Sequence, residues 1–127
     1  MIGVVVVTHS ETLAAGVIEV ASEMVPNAML VPAGGTEDGR IGTSVERISG
    51  AIETAREGTQ GVVVLADLGS AVMNAEIAVE ESEGGVLIAD APLVEGALNA
   101  AVSATSRNAT LESVREAAED ARYIDKV

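Results

Sequence analysis

The chain has one histidine, His9, and no cysteine. Nitrogen-centred nucleophilic chemistry on a histidine therefore has a single candidate, and disulfides, thiolate catalysis and thiolate metal sites have none. An imidazole nitrogen attacks an electrophile such as phosphorus only while the other ring nitrogen holds the proton. A carboxylate accepting that N–H fixes the tautomer and steadies the positive charge that grows on the ring. Asp67 is the carboxylate in a position to do this, because His9 and Asp67 each follow directly on a short apolar run. The phosphoryl oxygens would need donors, and helix starts at Ser10 and at Gly69-Ser70-Ala71 offer backbone N–H groups with serine hydroxyls in support. The same residues also admit a plainer reading, with His9 a polar residue at a helix start and Asp67 a cap for a later helix.

A glycine-rich stretch from Gly34 to Ser44 is the third feature with chemical potential. Gly34 and Gly39 have the spacing of a phosphate-binding loop, but Arg40-Ile41 stands where the Lys-Ser/Thr pair is required, so the match fails at the residues that would touch phosphate and magnesium. Two readings remain: a mobile surface loop, or a flap beside His9 built from Gly39, Arg40 and Thr43, with Ser44 in support. Glu80, Glu81 and Glu83 read as a solvated helix face, so no metal site is expected. Glu11 and Asp67 form an acid–base pair on paper, with nothing to mark a scissile substrate.

The elements that must position these residues follow from the apolar pattern. Ile2 to Val7, Val62 to Leu65 and Val86 to Ile88 are apolar at successive positions, as in strands covered on both faces, and Ala28 to Val31 is a weaker fourth. Between them, Leu13, Val17, Val20, Ala21 and Met24 form one helical stripe, and Val45, Ile48, Ile52 and Ala55 a second. Met73 and Ile77 mark a third helix beginning near Ser70. Pro26 follows the first helix, Thr43 with Glu46 fits a capping box for the second, and Gly58 sits where that helix should stop. Pro92 suits the first turn of a fourth helix, and Thr110 caps a last one carrying Leu111, Val114, Ala118 and Ala121. The expected fold is α/β: a three-layer, open, mostly parallel four-stranded sheet of order 2-1-3-4 with helices on both faces. Ligands in such sheets bind beyond the carboxyl ends of the strands, where the strand order reverses. That places His9 and Asp67 across one crevice.

Length and composition narrow the function. At 127 residues the expectation is one domain, 1–127. There is one Tyr and no Phe or Trp, so no aromatic platform exists for bases or sugars. Twenty acidic residues against seven basic ones give a formal charge of −13, which argues against nucleic-acid or anionic-membrane partners. So acidic a surface with a single lysine also suits a halophilic setting, where salt screens the repulsion. No secretory leader or membrane span is visible, so a cytoplasmic location is expected.

Several blocks carry a family resemblance: Val7-Thr8-His9-Ser10; Gly34-Gly35 with Asp38-Gly39 and Ile41-Gly42-Thr43-Ser44; Val64 to Ala71 with Asn74 and Glu76; and Asp90 to Gly96. Together they resemble the DhaM family, the phosphotransfer subunits of dihydroxyacetone kinases that depend on the phosphotransferase system (PTS), which is similar to the mannose-family enzyme IIA domains. The resemblance spans essentially the whole chain. It implies a phosphotransferase in which His9 takes a phosphoryl group from phospho-HPr and passes it to ADP on a nucleotide-binding kinase subunit, which acts with a dihydroxyacetone-binding subunit. Asp67 would be the histidine's carboxylate partner. The family further implies a homodimer and no permanently bound cofactor beyond the phosphoryl group carried. Some members continue into fused HPr-like and enzyme I-like domains, and a chain ending at Val127 is expected to rely on separate donors. Two other readings stay open: a mannose-type sugar-transport enzyme IIA, with the same chemistry and a different acceptor, and a non-catalytic regulatory or nucleotide-binding module of flavodoxin-like shape.

Overall fold

A computed structural model describes residues 1–127. The elements run β1 (Gly3–Thr8), α1 (Glu11–Met24), β2 (Leu30–Gly34), α2 (Val45–Arg56), β3 (Val62–Ala66), α3 (Gly69–Glu81), β4 (Val86–Ile88), α4 (Leu93–Ala104) and α5 (Leu111–Asp120), ending in a 3₁₀ turn at Ala121–Tyr123. All four strands are parallel, in the order β2-β1-β3-β4 that the sequence led us to expect. The chain leaves β1 for β2 on one side and then crosses to β3 on the other. The strand order thus reverses between β1 and β3. No helix is long and apolar enough to cross a membrane.

Val4 to Val7 are fully buried because the sheet is covered on both faces. Val5, Val7, Val62 and Val64 pack against Ile48, Ala51, Ile52 and Ala55 of α2 and against Ala71, Ala75 and Ala78 of α3. On the other face Val4, Val63 and Leu65 meet Ala100 and Ala104 of α4 and Val114 and Ala118 of α5, while Val6 meets Ala14 and Val17 of α1 and Ala97 of α4. Valine on the sheet and alanine on the helices fill the layers without aromatics.

That division of sizes corrects the stripe of the first helix and decides which face of the third is buried. Ala14, Val17 and Ala21 face the core in α1, whereas Leu13, Val20 and Met24 are exposed. In α3 the alanines at 71, 75 and 78 are inward, and Met73 and Ile77 are 66% and 45% exposed. Small residues repeat with the same helical period as the large ones, and in α3 alanines bring the helix close to the valine-covered sheet.

Boundaries moved in three places. The second strand runs Leu30–Gly34 rather than Ala28–Val31, since its register pairs Val4 with Leu30 and Thr8 with Gly34. Pro32 is tolerated there because β2 is an edge strand with one neighbour. At α2 the cap is Ser44, whose hydroxyl accepts from the Arg47 N–H at 3.2 Å, not Thr43 with Glu46. Pro92 is the N-cap of α4 rather than part of its first turn. Gly58 does follow the end of α2, with φ +72°, and Thr110 caps α5 in a reciprocal box with Ser113.

Candidate phosphoryl-transfer site

Register brings the site together. Val7 pairs with Ala66, so the chain leaves β1 at Thr8-His9 directly beside the point where it leaves β3 at Asp67, and the Asp67 N–H donates to the Val7 carbonyl at 3.1 Å. Asp67 Oδ2 accepts the His9 backbone N–H at 2.9 Å, and Oδ1 meets His9 Nδ1 at 2.9 Å and the Leu68 N–H at 2.8 Å. A carboxylate only accepts, so Nδ1 carries the ring proton and Nε2 keeps its lone pair. Nε2 lies 2.7 Å from Ser70 Oγ, whose hydroxyl donates to it. The His9 side chain is 21% exposed and that of Asp67 11%: the carboxylate is sheltered and the ring keeps an open edge. Burial pushes the Asp67 carboxyl up, but the His9 N–H, the ring N–H and charge, and the Leu68 N–H together outweigh it. The group is held below the usual carboxylate range.

The other candidates separate into two groups. Ser70 is drawn to the ring, and Gly69 stands beside it at the start of α3, where the N–H groups of Gly69 and Ser70 have no partner within the chain. The Ala71 N–H is already bonded to the Leu68 carbonyl at 3.0 Å. Ser10 follows His9 directly, but its hydroxyl oxygen accepts the Leu13 N–H at 3.2 Å as the cap of α1.

The glycine-rich stretch is a knitted loop. Thr36 N–H donates to the Arg40 carbonyl, Arg40 N–H to Thr36 Oγ1 and Gly39 N–H to the Thr36 carbonyl, each at 3.0 Å. Gly39 sits at φ +82° at the exposed tip, which glycine adopts without strain. Arg40 is engaged by Asp38 at 2.8 Å, and the Thr36 hydroxyl and Arg40 hold the Asp38 carboxyl below its ordinary range. Neither Gly39 nor Arg40 touches His9 by a hydrogen bond. Thr43 accepts from Asn74 Nδ2 of α3 at 2.6 Å. An open polar cleft of about 620 Å³ lies between this loop, the start of α2 and Asn74.

Three contributors escaped sequence reasoning. Gly42 N–H donates to the His9 carbonyl at 2.9 Å, and the buried Thr8 hydroxyl donates to the Ser10 carbonyl at 2.5 Å, closing the turn around His9. Arg47 of α2 approaches Glu11 in the first turn of α1 at 3.9 Å, a second cation besides Arg40 on this side of the fold. Thr8, Gly42 and Asn74 stand in the blocks that carry the family resemblance, but nothing in those blocks gives them a role.

A neutral imidazole with one nitrogen on a carboxylate and the other facing outward beside free N–H donors is chemically suited to take up a phosphoryl group. Comparison with known proteins agrees in kind. The EIIA-man family, described as the PTS system fructose IIA component, matches residues 3–115. The phosphoryl donor subunit DhaM of PEP-dependent dihydroxyacetone kinase 1 from Listeria innocua serovar 6a is 44% identical over 95 residues, 75% of each chain. The phosphotransferase subunit DhaM of PTS-dependent dihydroxyacetone kinase from Lactococcus lactis subsp. lactis is 36% identical over 114 residues, 90% of each. Among solved structures, a protein of unknown function, EF1359, superposes with a TM-score of 0.82 at 31% identity, covering 94% of this chain and 93% of that one.

Proposed function

Because the chain belongs to the EIIA-man family of PTS components, we propose that it is a phosphohistidine carrier whose His9 Nε2 accepts a phosphoryl group from phospho-HPr and yields it to ADP held on a dihydroxyacetone kinase subunit. The observation that carries this reading is the ring's two contacts, Nδ1 on Asp67 at 2.9 Å and Nε2 on Ser70 at 2.7 Å. The Nε2 lone pair attacks phosphorus, the P–N bond of the donor's phosphohistidine breaks, and its electron pair returns to the donor ring. His9 keeps its Nδ1 proton throughout, and Asp67 steadies the charge this leaves on the ring. Before the attack Ser70 turns its hydroxyl from Nε2 to a phosphoryl oxygen, which frees the lone pair, and the N–H groups of Gly69 and Ser70 join it there. In the return step a terminal oxygen of ADP attacks, the N–P bond breaks, and Nε2 recovers its lone pair. The phosphoryl group is the only cargo and no resident cofactor is required.

The kinase acceptor is favoured by the two relatives, both named as subunits of dihydroxyacetone kinases. A dihydroxyacetone-binding subunit would complete that system, a homodimer is the assembly we expect, and residues 1–127 act as one phosphotransfer domain in the cytoplasm. The family's description as a fructose component keeps a sugar-transport acceptor as the second reading.

Incubation with phosphoenolpyruvate, enzyme I and HPr should place an acid-labile, base-stable phosphate on His9, and His9→Ala should abolish it. Labelling that survives His9→Ala overturns the carrier reading. Chase with ADP and the two kinase subunits, against chase with a sugar-transport IIB protein, decides the acceptor.

A further inference from the structure

Four contacts hold His9, and the reading above uses only those on its ring and its N–H. The carbonyl is held from the opposite side by the Gly42 N–H at 2.9 Å. Gly42 belongs to the loop between β2 and α2, whose remaining hydrogen bonds are mostly internal, from Thr36 to Arg40 and from Ser44 to Glu37. Its other end is moored to β1 by Gly35 N–H on the Thr8 carbonyl at 3.0 Å. A single hydrogen bond joins this loop to α3: Asn74 Nδ2 to Thr43 Oγ1, 2.6 Å, at the residue next to Gly42.

Building on the carrier reading, we infer that Asn74 is a positioning residue that latches the loop over His9 through Thr43. Ser70 and Asn74 stand four residues apart on α3 and so project from the same face. One helix face thereby sets both the contact on Nε2 and the height of the loop that fixes the His9 carbonyl. With the latch released, the loop keeps its internal bonds but can lift as a unit. Gly42 then leaves the His9 carbonyl, and the residue keeps only its contacts with Asp67 and Ser70, so its backbone can shift. Misplacement of a reacting atom by a fraction of an ångström is enough to slow transfer by about tenfold.

The test compares Asn74→Ala, Thr43→Val, their double variant and Thr43→Ser. Phosphoryl uptake is followed with phospho-HPr and with phosphoramidate, a small chemical donor that needs no docking surface, and amide exchange is followed at Gly42. Either single loss should slow uptake from both donors by about tenfold and accelerate Gly42 exchange. The double variant should be no slower than either single one, since both remove one bond, and Thr43→Ser should return rate and exchange to the parent values. Parent rates in both single variants, additive losses in the double variant, or failure of Thr43→Ser to rescue would overturn the latch. Should the parent protein take phosphate from neither donor, the carrier reading falls on its own. Gly42 exchange then still decides the latch: acceleration in Asn74→Ala and Thr43→Val supports it, and unchanged exchange overturns it.

Discussion

Two helices start within reach of His9, and they use their serines in opposite ways. At α1, Ser10 spends its hydroxyl oxygen on the Leu13 N–H, and Glu11 in the first turn complements the helix dipole. At α3 the N-cap is Leu68, which has no capping group, the first turn holds no acidic residue, and the Ser70 hydroxyl goes to the histidine ring. A hydroxyl cap is worth about 1 kcal/mol, and α3 forgoes it at the turn whose Ser70 hydroxyl meets Nε2. Far from the site, α5 carries a complete capping box between Thr110 and Ser113. α4 also starts without a side-chain cap, at Pro92, so a missing cap does not by itself mark a site; what sets the start of α3 apart is the Ser70 hydroxyl on the His9 ring.

The largest effect should come from the carboxylate that joins β3 to the ring. Asp67→Asn can still hold one N–H but cannot stabilise the charge developing on His9, so uptake should fall by about a hundredfold or more while the chain stays folded. Rates measured with phospho-HPr at saturation check this; equal rates would remove Asp67 from the chemistry. The same residue predicts a pH signature. Its carboxyl is held below the ordinary range in the folded chain, so the stabilisation it provides is complete above the unfolded value of about 3.9 and disappears as the pH falls through the folded value. The acid limb of the stability curve should therefore flatten in Asp67→Asn, as read by denaturant unfolding from neutral pH downward.

Both of these residues, and the sheet between them, were legible because their signals are local. Val4 to Val7 and Val62 to Leu65 are unbroken apolar runs, and the residues that follow them must lie at strand ends. The second strand was displaced because Pro32 reads as a breaker until one knows that β2 has a single neighbour. Met73 and Ile77 mark the third helix but not its buried face, because hydropathy does not show that Ala71, Ala75 and Ala78 are the residues turned to the sheet. The roles of Gly42 and Thr8 were hidden for another reason: Gly42 acts through its backbone N–H, and the Thr8 hydroxyl donates to a backbone carbonyl, and neither choice of partner is written in the residue types.

Exchanging the hydroxyls one at a time sharpens the contrast between the two starts. Ser70→Ala should slow phosphoryl uptake by about tenfold or more, because it removes a donor aimed at the transferring group, and should leave the melting temperature near that of the parent. Ser10→Ala should cost about 1 kcal/mol of stability through the lost cap and change uptake much less. Paired unfolding and transfer-rate measurements test both halves. A Ser10 variant that lost more transfer than stability would show that α1 also contributes a phosphoryl donor.

The smallest effect lies within α1 itself. Gly16 is exposed in mid-helix, has no positive φ, and a methyl group added there meets nothing within 4 Å. Gly16→Ala should therefore raise stability by about 0.5–1 kcal/mol, through helix propensity and a less flexible unfolded chain. Six positions separate it from Ser10 and the two share no hydrogen-bond partner, so their effects should add. Combined with Ser10→Ala it should return the unfolding midpoint close to the parent value. Combined with Ser70→Ala it should raise the midpoint and leave the transfer rate as slow as before. If Gly16→Ala did restore transfer to the Ser70 variant, the slow transfer of that variant would come from lost global stability rather than from a lost donor to the phosphoryl group.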